Sequence, residues 1–129
     1  MENIKILYVE DEAMIMKITK MMFNKAGIEP DCVCNAMDAL SLFKQNQYDL
    51  IFLDLGLPDM DGMQLAFQIR KYEKRYRVQQ AKIFAITAYD LKNVERLCFT
   101  AGMNGAFNKP LKIDLLKELI GSITPIAST

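Results

Sequence analysis

The sequence predicts an α/β domain in which five short parallel strands are doubly wound by five helices. Three observations predict it. Continuous apolar runs of four to six residues recur along the chain and do not alternate with polar residues, the pattern of strands buried on both faces of a parallel sheet. Between them lie apolar stripes at helical spacing, several of them closed by a glycine. Finally, Glu10, Asp11, Asp54, Thr87 and Lys109 all fall just past the carboxyl ends of four of these runs, where open α/β sheets bind ligands.

Ile4 to Val9 forms the first strand and ends in Glu10-Asp11-Glu12. From Ala13 the period changes, and Met14, Ile15, Ile18, Met21 and Met22 make a helical stripe expected to face the core, with Gly27 as its stop. Asp31 to Cys34 is a brief second strand; Cys32 and Cys34 share one of its faces and are expected to pack there, not to hold a metal. Asn35 followed by Asp38 resembles a cap for a second helix using Ala36, Ala39, Leu40 and Phe43. Leu50 to Leu53 is the central strand, with Asp54 at its end, Pro58 stiffening the loop and Asp61-Gly62 opening the third helix. That helix uses Leu65, Ile69 and Tyr72 and is expected to give way to a polar connection from Glu73 to Gln80. Its basic run, Lys71, Lys74, Arg75 and Arg77, reads as a solvated helix end able to steer an acidic partner. Ile83 to Ile86 leads to Thr87-Ala88, a fourth helix takes Val94, Leu97, Cys98 and Ala101 and stops at Gly102, and Ala106 to Asn108 is a short strand ending at Lys109-Pro110. The fifth helix carries Ile113, Leu116, Leu119 and Ile120 and ends near Gly121. Strand-helix repetition with right-handed crossovers puts helices on both faces, a flavodoxin-like three-layer sandwich.

At 129 residues the chain is expected to be a single domain, and with nine residues after Ile120 no output domain is expected to follow. Sixteen basic residues balance sixteen acidic ones, which argues against charge-driven binding to nucleic acid or to a membrane surface. No stretch reads as a secretory signal or a membrane span, and three cysteines suit a reducing compartment, so a cytoplasmic location is expected. The absence of histidine removes Ser-His-Asp and Cys-His catalysis, histidine zinc sites and any phosphohistidine on this chain.

Carboxylates gathered at neighbouring strand ends repel unless a cation neutralises them, and oxygen ligands of this kind suit Mg²⁺. Lys109 adds a compact positive charge and Thr87 a hydroxyl, a set fitted to an anionic tetrahedral group on Asp54.

The residues Val9-Glu10-Asp11-Glu12, Leu53-Asp54-Leu-Gly-Leu-Pro58-Asp-Met-Asp61-Gly62, Ile86-Thr87-Ala88 and Ala101-Gly102 through Lys109-Pro110 resemble the signature set of response-regulator receiver domains. The resemblance covers about residues 3 to 123. It implies that Asp54 takes phosphoryl from a phosphohistidine on another protein, a sensor kinase or a histidine-phosphotransfer domain. It also implies that Asp11 and Asp54 ligate Mg²⁺ directly, with Gly56 giving its backbone carbonyl and Glu10 acting through water. Thr87 would swing toward the phosphoryl group, Ala88 would meet it with its backbone, Lys109 would pair with it, and the Lys109-Pro110 bond would be cis. Downstream partners would engage the fourth helix, fifth strand and fifth helix. Thr87 to Leu111 is similar to receivers of hybrid sensor kinases and phosphorelays. Two positions depart from the pattern. Ala106 stands where an aromatic switch is usual, Phe107 is expected on the opposite face, and Tyr89 is the alternative cover for the site. Gly56 offers no side chain to position or block an attacking water.

Two other functions compete. A phosphorylation-independent receiver-like module would make Ala106 unremarkable. An aspartyl-phosphate phosphatase normally has a second carboxylate two residues after its nucleophile, where this chain has Gly56.

Overall fold

The apolar runs become strands because each has two sheet faces to fill. In a computed structural model, which describes residues 4–123, the elements are β1 (Ile6–Val9), α1 (Ala13–Lys25), β2 (Asp31–Val33), α2 (Ala36–Gln45), β3 (Leu50–Asp54), α3 (Gly62–Tyr76), β4 (Lys82–Thr87), α4 (Leu91–Thr100), β5 (Gly105–Asn108) and α5 (Ile113–Gly121). All strand pairs are parallel, in the order β2-β1-β3-β4-β5. This is the expected (βα)5, flavodoxin-like sandwich, with Asp54 closing the central strand.

Alternation along each strand builds two cores. Leu7, Val9, Ile51, Leu53, Ile83, Ala85 and Ala106 face α2, α3 and α4, meeting Phe43, Leu65, Ile69 and Cys98. Ile6, Tyr8, Leu50, Phe52 and Ile86 face α1 and α5, meeting Phe23 and Leu116. An aromatic row crosses this second face: Tyr8–Phe23, Phe23–Phe52, Phe52–Phe84 and Phe84–Phe107 lie 5.9, 6.0, 6.2 and 5.2 Å apart between centroids. Each fully buried large side chain contributes about 1.5–3 kcal/mol. Ala106 and Phe107 therefore point to opposite faces, as strand alternation predicts, and Phe107 ends the aromatic row.

Helix ends follow the predicted chemistry in α2 and α3. The Asn35 side chain accepts from the Asp38 N–H at 2.8 Å and the Asp61 side chain from the Gln64 N–H at 2.9 Å. Gly27, at φ 78°, sits just past α1, and Gly102, at φ 97°, just past α4. The Lys109-Pro110 bond is cis, as expected.

Four expectations are corrected. The α1 stripe is not a core stripe: Met14, Ile18 and Met21 are 70%, 55% and 56% exposed, while Thr19 and Phe23 are the helix's buried residues and Met16 and Met22 pack at the margin. The stripe lies a fraction of a turn away from the true inward face, which uses a threonine that apolar counting skips. Second, α3 does not give way at Glu73. It continues to Tyr76, and Glu73 is buried, because Arg70 and the Ala81 N–H hold its carboxylate at 2.7 and 2.8 Å. Third, Cys32 is half-buried against the α1/α5 core, but Cys34, one residue past β2, is exposed. Leu97 of the predicted α4 stripe is likewise 52% exposed.

Candidate functional site

Register brings the site together. Val9 pairs with Leu53 and Asp54 with Ile86, so Glu10 lies beside Asp54, and Thr87 pairs with Asn108, so Lys109 follows on the other flank. The Lys109 ammonium sits 3.0 Å from Glu10 Oε1, 3.1 Å from Asp54 Oδ2 and 3.5 Å from Glu12 Oε1. Carboxylate oxygens of Glu10, Glu12 and Asp54 all lie within 4.8 Å of one another. Glu12, which the sequence placed only in the acidic turn, thus joins the cluster, and its N–H donates to Glu10 Oε2 at 3.2 Å. The signal for it was position: it is the last residue before α1, so its backbone turns toward the strand ends. Asp11 is exposed beside them and lies outside that closest trio.

The electrostatics show the strain of four acids around one lysine. Burial lifts the Glu10 carboxyl above its ordinary range, Asp54 adding to the effect against Lys109. Asp11 is raised as well, by desolvation and by Asp54. Burial would raise Asp54 too, but the Gly56 N–H, Glu10 and Lys109 together hold it below the usual carboxylate range. Burial alone would lower Lys109; Glu10 and Asp54 keep it above its usual value. Asp54 is therefore an ionised, weakly basic oxygen donor, with its Oδ1 accepting from the Gly56 N–H at 3.1 Å.

The far flank is built from β4 and β5. Thr87 is buried, and its Oγ1 accepts from the Tyr89 N–H at 3.0 Å. Asn108 donates to the carbonyls of Thr87 and Tyr89 at 3.3 and 2.9 Å, tying the two loops. Ala88 is exposed between them, and Tyr89 stands 63% exposed, its ring in solvent. Gly56 leaves open space, since a Cβ there would meet nothing within 4 Å. Gly62 is the opposite case: a Cβ would lie 2.6 Å from the Asp54 carbonyl oxygen and 2.8 Å from Leu55 Cα, so the start of α3 presses against the end of β3. Asp59 also escaped the sequence reading; its two carboxylate oxygens accept from the Ala36 and Met37 N–H groups at 2.8 and 2.9 Å, fastening this loop to the start of α2.

An all-oxygen cluster with more acids than one ammonium can neutralise fits a hard divalent cation. A parallel (βα)5 sheet with acids at two strand ends facing a lysine at a third defines a class, the phosphoacceptor receivers of two-component signalling. The family model for the response regulator receiver domain matches residues 6–121, and the chain belongs to that family. It is 39% identical over 119 residues to hybrid signal transduction histidine kinase L of Dictyostelium discoideum, covering 90% of this chain and 7% of that protein. It is 33% identical over 118 residues to the aerobic respiration control sensor protein ArcB of Escherichia coli, covering 91% and 15%. The chain thus spans between 7% and 15% of these kinases' lengths. Its fold matches a chain in the co-crystal structure of the Saccharomyces cerevisiae histidine phosphotransfer protein Ypd1 with the receiver domain of the response regulator Ssk1, at TM-score 0.83 and 30% identity over 92% of this chain and 86% of that one. A two-component response regulator from Clostridium difficile matches at TM-score 0.81 and 25% identity, over 93% and 94%. The chain is a phosphoacceptor switch of the receiver type found in hybrid kinases. Among the described residues, no helix is long and apolar enough to cross a membrane.

Proposed function

We propose that Asp54 is the phosphoacceptor, taking a phosphoryl group from a phosphohistidine on a donor protein. The observation that carries this is the position of Asp54 at the end of the central strand, with Lys109 3.1 Å away and no side chain at Gly56 to obstruct approach. An Asp54 oxygen attacks phosphorus, the phosphorus–nitrogen bond breaks, and the donor imidazole leaves with the electron pair. Lys109 pairs with the arriving phosphoryl oxygens, exchanging part of its bond to Asp54 for one to phosphate. Thr87 turns its hydroxyl from the Tyr89 N–H toward the new group, and the Ala88 N–H meets another of its oxygens. Asp11, Asp54 and the Gly56 carbonyl would hold Mg²⁺ directly and Glu10 through water, the cation supplying neutralisation of phosphoryl charge.

The donor docks over α1, where the exposed Met14, Ile18 and Met21 form an apolar patch next to the site. Downstream partners read α4, β5 and α5, where Tyr89, Leu97 and Phe99 are exposed and Thr87 and Asn108 link the phosphoryl group to the loop before α4. With Ala106 in place of a switching aromatic, Tyr89 carries the movement.

Incubation with acetyl phosphate and Mg²⁺ tests the assignment. The intact mass should rise by one phosphoryl group, and Asp54→Asn should abolish the gain while leaving the fold intact by circular dichroism. Labelling that persists in Asp54→Asn overturns it, and no labelling of the wild type would leave a phosphorylation-independent module.

A further inference from the structure

The basic run of α3 lies outside the site around Asp54. Lys71, Arg75, Tyr72 and Tyr76 of α3, with Leu40 and Lys44 of α2, line a surface cleft of about 470 Å³. The two tyrosine rings lie 4.6 Å apart between centroids with their planes tilted by 42°, Lys44 lies 5.8 Å over Tyr72, and Arg75 lies 5.7 Å over Tyr76. Lys74 and Arg77 extend the charge around the helix end. Among the described residues, none of these five cations has an ion-pair partner. The sole acid of α3, Glu73, is buried and engaged by Arg70, and the sole acid of α2, Asp38, lies in its first turn at the other end. In a chain of zero net charge, the three unpaired cations that line the cleft, Lys44, Lys71 and Arg75, are an uncompensated surface.

We infer that this α2–α3 cleft docks an acidic protein segment carrying apolar side chains. Carboxylates complement the rim, Arg75 offering a planar fork to one of them, while the edges of the tyrosines and Leu40 take the apolar residues. A nucleic acid fits less well. Lys71 to Arg77 span only about 9 Å of helix axis, too short a track for a run of phosphates. The cleft lies in the last turns of both helices, at the end of the sheet away from Asp54, with Arg75 about 20 Å of helix from Gly62. Docking there leaves Asp54 open, so a donor and the acidic segment bind together.

Fluorescence anisotropy on the full chain at low ionic strength, with a labelled peptide alternating Glu and Asp with Leu and Phe, tests this. The peptide should bind, and Lys71→Glu combined with Arg75→Glu should weaken it by about tenfold or more, as loss and reversal of two exposed pairs implies. Tyr76→Ala should weaken it by about threefold through lost contact. Both variants should accept phosphoryl from acetyl phosphate at the wild-type rate, which shows that they fold, and binding should persist in Asp54→Asn. Absence of peptide binding, equal binding by the double variant, or tighter binding of oligothymidylate or of phosphatidylserine vesicles would each overturn the inference.

Discussion

Asp54 sits among neighbours that disagree about charge. Lys109 is shared among Glu10, Asp54 and Glu12, and what remains is repulsion that Asp11 feels from an exposed position. A carboxyl raised in the folded state binds its proton more readily there than in the unfolded chain, so its ionised form costs stability above the unfolded value. In metal-free buffer at neutral pH, Asp11→Asn should therefore raise the melting temperature, and the gain should shrink as pH falls through the raised Asp11 range. On the proposed Mg²⁺ ligation, the same variant should also lose the stabilisation expected from the cation, about 1.4 kcal/mol at ten times Kd. Paired thermal scans with and without Mg²⁺ measure both; an unchanged or lower melting temperature in the metal-free variant contradicts the repulsion. The gathering of Glu10, Asp54, Thr87 and Lys109 was legible from sequence because each follows an apolar run, and strand ends converge in a parallel sheet. Glu12, Asp59 and Asn108 were not: their roles depend on which way a loop turns, and no periodicity encodes that.

At the scale of elements, the loop after β3 does more than carry Pro58. Gly62 lets α3 touch the Asp54 carbonyl, and Asp59 caps α2 from a distance of 23 residues. Gly62→Ala sets a methyl against backbone that cannot yield cheaply, which should cost about 1–3 kcal/mol in urea unfolding and slow phosphoryl uptake by shifting Asp54. An uptake rate equal to wild type would show that the strand end tolerates the shift. The Ala36 and Met37 N–H groups hold the Asp59 carboxyl below its usual range. For an acid depressed in the folded state, stability is present above the unfolded value and is lost as pH falls through the folded one. Asp59→Asn should thus lower the melting temperature at pH 7 and converge on wild type in acid, where both lack the charge. The α1 stripe was misjudged because apolar spacing cannot distinguish a buried face from an exposed apolar one. The length of α3 was misjudged because Glu73 and Arg70 read as polar surface until the sheet closes over them.

For the molecule as a whole, a polar clamp holds the end of the sheet opposite the site. Arg70 donates to Glu73, to the Gly102 carbonyl and to Asn104 Oδ1 at 2.7, 2.8 and 3.0 Å, while Glu73 and Asn104 accept from the Ala81 and Ile83 N–H groups at 2.8 Å each. Glu73→Ala takes the charged one of three acceptors from Arg70, leaves the buried Ala81 N–H without its own, and should cost about 3 kcal/mol. Glu73→Gln, which keeps an acceptor, should cost less. Both should accept phosphoryl at the wild-type rate below their unfolding transitions, which separates stability from function. The order of five strands and five helices was legible because apolar runs, helical spacing and turn residues alternate along the chain; the clamp was not, because Arg70, Glu73 and Asn104 belong to no run or stripe that would bring them together.

The sheet's two borders are stubs, three residues in β2 and four in β5. So few free amide and carbonyl groups make a poor template for a foreign strand, so neighbouring copies have little to zip onto. A domain with so little open sheet edge can therefore be crowded on all sides without fusing into a fibre.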